Sequence, residues 1–193
     1  MSLKTKDRKD QNNRTPLPEI KAGTYMGRIV SVVDVGVQPQ EDYETKEEKP
    51  PKEECFIAVE FPKLRMERDE EDLPRWLSKK FKVMGPQEFG YENSNVKKML
   101  ENLMEDGDWS TLVDVPVMCS IAHTVTGNPK IVSMTSVPEG VEVPALENEA
   151  VVFDFYDPDL EVFNKLPAFM QKITTEAVDF SGSDLERLLD SVS

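Results

Sequence analysis

The sequence predicts a mainly β protein with five strands, one helix between the third and fourth strands, and an acidic C-terminal extension. Three observations lead to this prediction. Apolar and polar residues alternate in several short segments, which is typical of strands with one buried face. Fourteen prolines stand against nine glycines, which favours extended connections over long helices. The net charge of −14 is concentrated in residues 139–193, which carry 13 acids and 3 bases.

The composition divides the 193 residues into three parts. Residues 1–15 hold five basic and two acidic residues without apolar periodicity, which predicts a disordered basic arm or simply a solubilising terminus. Residues 16–144 hold all the strand segments and form the predicted domain. The first 138 residues together carry 24 acids and 20 bases, a net charge of only −4. Residues 145–193 are predicted to form an acidic, aromatic extension with short helices and a flexible tail.

Three predicted strands come first in this domain. Residues 23–35 are rich in β-branched side chains, and Gly27 among them would relieve a bend or bulge. Residues 55–61 alternate cleanly, with the apolar side chains at odd positions facing inward. Residues 75–83 form the third strand. The polar, charged stretches that join these strands are predicted to be flexible loops.

A helix separates these three strands from two more. Asn93 or Ser94 can cap this helix, and residues 95–105 carry apolar side chains at helical spacing. Residues 115–121 alternate as the fourth strand, and residues 130–137 form the fifth after a glycine-containing turn. Three strands, a helix and two strands is the order of the five-stranded barrel of the oligonucleotide/oligosaccharide-binding (OB) fold.

Residues 75–82 carry four positive charges and no acid inside an acidic protein. In a strand, one face of this segment presents Trp76, Ser78, Lys80 and Lys82. Bases stack on aromatic rings and phosphates pair with cations, so this face is a candidate platform for single-stranded nucleic acid. OB folds bind oligonucleotides on this part of the barrel. The alternative is a half-buried strand with a solvated basic face and a tryptophan at its rim.

Five further residues are candidate nucleic-acid contacts. Arg75 belongs to the same basic segment, and Lys79, in the opposite register, would reach the rim through its long side chain. Phe56 would share the tryptophan's face if their strands pair, or otherwise contact the acidic loop. Tyr25 and Arg28 lie on the first strand, where a structural role and a nucleic-acid contact are equally open.

The acidic extension offers a candidate surface for partner proteins. A short helix is predicted near residues 166–177, and an amphipathic segment ends the chain. The apolar stripe of that segment and its acidic neighbours are Leu185, Leu188, Leu189, Asp184 and Asp190. We expect partner proteins to bind this tail, and its charge to compete with DNA for a basic groove. The aromatic residues of the extension would pack on the barrel of their own chain or on that of a second copy. In the second case the protein would be a homo-oligomer.

The sequence contains little that indicates catalysis. Cys55 and Cys119 lie in alternating apolar segments, which predicts buried free thiols in a reducing compartment. His123 is the only histidine, so neither a transition-metal site nor a histidine-dependent nucleophile is expected. The sequence has no phosphate-binding glycine loop and no apolar run near the roughly 20 residues that span a membrane. We therefore expect no enzyme activity, no metal, no cofactor, no membrane contact and a cytoplasmic location.

Seven short segments follow one another in a characteristic order: LPEI at 17–20, GTY at 23–25, VVDVGVQ at 32–38, VEFP at 59–62, LSKKF at 77–81, SNVKKML at 94–100 and VPEG at 137–140. Together with the region 155–171, they resemble the single-stranded DNA-binding proteins of bacteriophages. The resemblance covers about residues 17–171. No single segment is diagnostic, and the specificity comes from their order.

This resemblance implies an OB-fold protein that coats single-stranded DNA in phage DNA replication, recombination and repair, in the host cytoplasm and without catalysis. It also implies an acidic C-terminus that contacts replication or recombination proteins. The chain departs from the family at that end, because it finishes Asp-Ser-Val-Ser without a terminal aromatic residue. The net charge leaves an alternative open: the same barrel would serve as a protein-interaction adaptor, or as an acidic decoy that occupies another protein's DNA site.

Overall fold

A computed structural model describes residues 17–68 and 70–192 of the chain. The predicted basic arm, residues 1–15, lies outside them. The strands, in chain order, are β1 Gly23–Glu41, β2 Glu48–Arg68, β3 Glu71–Lys82, β4 Pro116–His123, β5 Pro129–Ser136 and β6 Val151–Phe153. The α-helices are α1 Asn95–Met99, α2 Leu160–Lys165, α3 Ala168–Thr175 and α4 Asp184–Ser191, and short 3-10 turns span Tyr91–Asn93 and Trp109–Leu112.

The strands form one sheet in the order β3-β2-β1-β4-β5, with antiparallel neighbours and with β6 parallel beside β1. The prediction of a mainly β fold with a helix between the third and fourth strands is confirmed. No backbone ladder joins β3 to β5 in the described residues, so the sheet is not closed into a barrel. The two outer strands nevertheless approach each other, because Lys79 Nζ on β3 donates a hydrogen bond to the Ile131 carbonyl on β5 at 3.1 Å.

The first two hairpins are longer than the sequence predicts. β1 and β2 stay paired as far as Glu41 opposite Glu48, and β2 and β3 as far as Arg68 opposite Glu71. The charged residues that suggested flexible loops instead neutralise one another between the strands, as Lys49 does with Asp42 at 2.5 Å. Opposite charges on neighbouring strands stabilise strand pairing. A prediction based on alternating apolar residues does not detect strands that are extended in this way.

Gly27 allows β1 and β2 to approach each other closely. A Cβ atom at this position would lie 2.5 Å from the Glu60 carbonyl oxygen and 2.6 Å from Cγ1 of Val59. Only a residue without a side chain fits so close to a neighbouring backbone. The sequence predicts a bend or bulge at Gly27, whereas the irregularities of the β1–β2 pairing lie further along β1, the first of them between Ile29 and Ser31.

The helix before β4 begins as predicted and ends early. The Ser94 side chain accepts a hydrogen bond from the Lys97 amide at 3.1 Å, which caps the first turn. Helix α1 ends at Met99, and the chain continues through tighter turns to Asp106 and Gly107. Both of these residues have positive φ, 50° and 76°, which is incompatible with a continuing helix. Only residues 95–99 of the helix predicted over residues 95–105 are α-helical in the structure.

Two apolar clusters lie on opposite faces of β1 and β2. One fills the inside of the curved sheet beneath α1 and includes Ile29, Ile57, Phe61, Phe81, Leu100, Cys119 and Met134. The other lies outside, beneath residues 151–189, and includes Val33, Val35, Phe153, Phe155, Phe163, Met170 and Leu185. Both cysteines are buried free thiols, as predicted. The C-terminal extension therefore covers one face of the sheet.

The end of the extension is held to the sheet as well. The Val178 amide donates to the Val37 carbonyl at 2.7 Å, and Asp179 accepts a hydrogen bond from the Val37 amide at 2.9 Å. Helix α4 follows, and its Leu185 side chain is completely buried. The sequence suggests a flexible tail here, whereas the structure has an ordered helix, because Leu185 fills a space between neighbouring apolar side chains.

Candidate nucleic-acid interface

The outer face of β3 presents the row of residues that the sequence singles out. Trp76, Ser78, Lys80 and Lys82 point the same way and are all exposed. Strands rise about 3.3 Å per residue, so the row runs about 20 Å from its tryptophan to its last lysine. We call these four residues the β3 row. Its partners on β2 are Glu60, Ala58, Phe56 and Glu54, in the same order.

Trp76 is oriented by a buried carboxylate. The residue is 39% exposed, and its indole Nε1 donates a hydrogen bond to Glu60 Oε2 at 3.1 Å. Glu60, only 1% exposed, also accepts hydrogen bonds from the Glu147 amide at 2.8 Å and from Asn148 Nδ2 at 2.7 Å. The bond to Glu60 satisfies the only polar atom of the indole, so the exposed part of Trp76 offers ring carbon atoms for contact.

The two lysines of the β3 row differ in their environment. Lys80 Nζ lies 2.7 Å from Oε2 of Glu54, a buried carboxylate that also accepts a hydrogen bond from Gln40. Lys82 makes no ion pair with any residue in the described part of the chain. Its ammonium group is therefore the one in the row that is most available to a phosphate, while Lys80 keeps half of its side chain in solvent.

Phe56 lies on the same face as the β3 row but is covered by the extension. It stands opposite Lys80 in the β2–β3 pairing, and its ring meets that of Phe169 edge to face, with centroids 6.0 Å apart. The alternation of β2 correctly turns Phe56 outward. It cannot reveal that α3 returns to pack on it, so Phe56 contributes to the outer apolar cluster.

Lys79 and Arg75 point away from the row. Lys79 binds the Ile131 carbonyl, and burial together with nearby Lys130 lowers the pKa of its ammonium group. Arg75 is buried, its guanidinium donates to the Pro18 carbonyl at 2.7 Å, and burial lowers its pKa. Both cations hold distant segments of the chain in place, and the structure does not bring them to the exposed face.

Tyr25 and Arg28 also have structural contacts. The Tyr25 hydroxyl donates to the Lys21 carbonyl at 2.9 Å. The Arg28 guanidinium donates to the carbonyls of Asp114, Val143 and Pro144 at 2.7, 3.1 and 2.9 Å. Of the two roles left open for these residues, the structure supports the structural one, since Arg28 anchors the segment that leads from the sheet into the extension.

The residues proposed for partner binding in the tail divide between the interior and the surface. Leu185 is buried, Leu189 is partly buried, and Leu188 is 36% exposed. Asp184 and Asp190 are exposed, and Asp184 forms an ion pair with Arg187. The apolar stripe therefore faces the protein itself, and only its edge is available to another molecule.

The sequence did not single out a pocket that continues the β3 row. It has a volume of about 370 Å³, and Lys80 and Lys82 line one side of it. Gly90, Asn93 and Asn95 line another. Phe89, next to Gly90, is fully exposed. The sequence feature that could have indicated this site is a phenylalanine between two glycine-containing turns. Its exposure could not be predicted, because the segment has no apolar periodicity.

An acidic cleft lies elsewhere, between β1, β2 and the extension. Burial raises the pKa of Asp34 to about 7, with contributions from Glu53, Asp154 and Asp179. Asp179 also accepts a hydrogen bond from the Tyr156 hydroxyl at 2.8 Å. Within residues 17–68 and 70–192 no group of three or more His, Cys, Asp or Glu side chains is arranged to hold a metal ion. This cleft would repel phosphate.

No protein-family model, curated protein or solved structure matches the chain. These comparisons therefore assign it to no family. In the part of the chain that the structure describes, no helix is both long and apolar enough to cross a membrane.

Proposed function

We propose that this protein binds single-stranded DNA through the β3 row, with little sequence preference along that row. The observation that carries the proposal is the exposed indole of Trp76 in line with the ammonium groups of Lys80 and Lys82. Every base has a face that can stack on an aromatic ring, and every linkage carries a phosphate. A row of this kind therefore fits a single strand better than a duplex, whose bases are stacked inside.

The arrangement of elements supports an OB-like fold for this function. Three strands precede α1, whereas β4, β5 and the short β6 follow it, and β1 pairs with both β2 and β4. The OB fold is a partly open barrel, so the missing ladder between β3 and β5 is compatible with it. Its oligonucleotide surface includes strand 3, and the β3 row lies on the third strand of this chain.

The biological role is a proposal that rests on the resemblance to phage single-stranded DNA-binding proteins. In that role the protein coats DNA during replication, recombination and repair, and its acidic C-terminus contacts other proteins of these processes. Because Leu185 is buried, the exposed carboxylates of α4 and Leu188 are the groups on this helix that remain for such contacts. In a homo-oligomer, a second copy of the protein would place its own β3 row on the same strand of DNA.

A substitution of Trp76 tests the proposed contact. Trp76→Ala is expected to weaken binding to oligo-dT by about 1–3 kcal/mol, the usual effect of losing one stacked base. Tyr43→Ala is the matched control, because Tyr43 is an exposed aromatic residue between β1 and β2, outside the row. If a fluorescence anisotropy titration gives equal affinities for both variants, Trp76 does not contact the DNA.

The second candidate function is an acidic interaction module or decoy. It is favoured by the cleft around Asp34, Glu53 and Asp154, and by the pairing of Lys80 with a buried carboxylate. Such a protein would bind a basic partner and leave free DNA unbound at low salt. The same titration therefore separates the two functions.

A further inference from the structure

The β3 row does not end on a flat surface. Beyond it, Lys80 and Lys82 form one wall of the pocket of about 370 Å³, and Met84 contributes an apolar side chain. Asn93 and Asn95, which flank the cap of α1, are on another side. A strand of DNA that follows the row therefore reaches a concave site with both polar and apolar groups, the usual composition of a ligand pocket.

Several polar groups of this pocket have no partner within the protein. The side-chain amides of Asn93 and Asn95 form no hydrogen bond with any residue of 17–68 or 70–192. Lys82 likewise has no carboxylate partner among them. By contrast, the three other polar liners are already paired: Glu54 and Lys80 neutralise each other, and the Ser94 hydroxyl accepts from the Lys97 amide. One cation and two amides are thus left to contact a ligand.

An exposed aromatic residue directly precedes one of the residues that line the pocket. Phe89 is fully exposed, and it precedes Gly90, which lines the pocket with a φ of 88°. A left-handed backbone of this kind favours glycine and turns the chain sharply. Phe89 belongs to neither apolar cluster, so its ring is not needed for the core. An exposed ring one residue from the pocket lining, together with the unpaired amides and free ammonium group of that lining, matches the chemistry of a nucleotide, which has a flat base and an anionic phosphate.

We propose that this pocket binds one nucleotide of the single strand, with the base stacked on Phe89, the phosphate at Lys82 and the base edge hydrogen-bonded by Asn93 and Asn95. This inference rests on the proposed binding of single-stranded DNA. To a row that contacts only base faces and phosphates, it adds one position at which a base edge is hydrogen-bonded. A carboxamide offers a donor and an acceptor side by side, which match the N6 and N7 of adenine and equally the N3 and O4 of an unpaired thymine.

The test measures the affinity of short oligo-dA and oligo-dT for the full chain and for three variants. Phe89→Ala is expected to weaken binding of both oligonucleotides about 5- to 150-fold, the usual range for one stacked base. The double variant Asn93→Ala, Asn95→Ala is expected to weaken binding of both oligonucleotides by about fivefold, the low end for a bidentate contact. Tyr43→Ala is the control and is expected to bind as the unaltered chain does.

The outcomes are distinguishable. If the unaltered chain binds single strands and Trp76→Ala weakens binding, but Phe89→Ala and the double variant bind as the unaltered chain does, the pocket is not a nucleotide site and the proposed function stands. If the unaltered chain binds no single strand, the proposed function itself fails, and the pocket proposal with it. Because Phe89 is fully exposed, its variant should keep the unaltered melting temperature, so a loss of affinity without a loss of stability assigns the effect to contact with DNA.

Discussion

Replacing Leu185 with alanine tests whether α4 is part of the folded protein. Leu185 is completely buried in the outer cluster, among side chains that include Phe163. A buried leucine reduced to alanine costs about 2–5 kcal/mol, and the lower values occur where neighbours can collapse into the space. Helix α4 has only eight residues, Asp184–Ser191, and can shift inward, so we expect about 2–3 kcal/mol.

The expected loss is large enough to measure by thermal or urea unfolding. In a domain of 150–250 residues, each kcal/mol lowers the melting temperature by about 2–4 °C, which gives about 4–12 °C here. Leu188→Ala is the matched control, because Leu188 lies on the same helix and is 36% exposed. Exposed positions of this kind usually change stability by less than about 0.5 kcal/mol.

Amide hydrogen exchange locates the effect. Leu185→Ala should reduce protection in residues 184–191 more than elsewhere, because these residues depend on the lost contact. If the two leucine variants unfold identically and α4 exchanges freely even in the unaltered chain, the helix is not packed as described. The tail would then be flexible, as the sequence suggests.

Three further changes test other parts of the molecule. Lys82→Ala should reduce the slope of log affinity against log salt by about 0.7, the value for one phosphate contact on a single strand, whereas Lys46→Ala on the distant hairpin should leave it unchanged. Gly36→Ala should lower the free energy of unfolding by more than about 1 kcal/mol, because φ is 73° and the new Cβ would lie 2.9 Å from Asp179 Oδ1. Asp34 has a pKa raised to about 7 by burial, so the folded state holds its proton while the unfolded state releases it above about pH 4. Its contribution to stability therefore falls as pH rises from about 4 to 7, and Asp34→Asn should flatten that decline in urea unfolding.

Each of these expectations has a contradicting result. An unchanged salt slope for Lys82→Ala would move the DNA path away from the end of the β3 row. Gly36→Ala with full stability would mean that Asp179 and Phe155 are not packed against β1. A pH dependence of unfolding that is identical in Asp34→Asn and the unaltered chain would show that this carboxyl titrates as it does in an unfolded chain.

The sequence correctly predicted the features that depend on residues close together in the chain. The alternation in β2 turned Cys55 and Ile57 inward, and the structure buries both. A cap at Asn93 or Ser94 was predicted because such side chains accept a hydrogen bond from a first-turn amide, and in the structure Ser94 does so. The exposure of the β3 row follows equally from its position on alternate residues of one strand.

The remainder depends on segments that are far apart in the chain. Phe56 and Glu60 both face outward on β2, yet residues 147–169 return to cover them. Arg28 and Arg75 carry charges that suggest phosphate contacts, but each satisfies backbone carbonyls of a distant segment. A periodic pattern shows that a side chain leaves the core of its own sheet. It does not show what packs on the other side.

The length of the first hairpins has the same explanation. Residues rich in charge and proline indicate loops when only composition is considered. In this chain, Asp42 pairs with Lys49 and Arg65 with Asp72, and these contacts extend the strands. β-bulges lie between the apolar end and the charged end of both hairpins and shift the register, so the apolar pattern alone does not show which charged residues will meet.

The most direct test of the central claim is one titration at low salt, with labelled oligo-dT and duplex DNA of equal length added to the full chain. The β3 row predicts clear binding of the single strand, at least tenfold tighter than the duplex, because only the unpaired bases can stack on Trp76. The row as a DNA-binding surface would be contradicted by equal or tighter binding of the duplex, or by no binding of either.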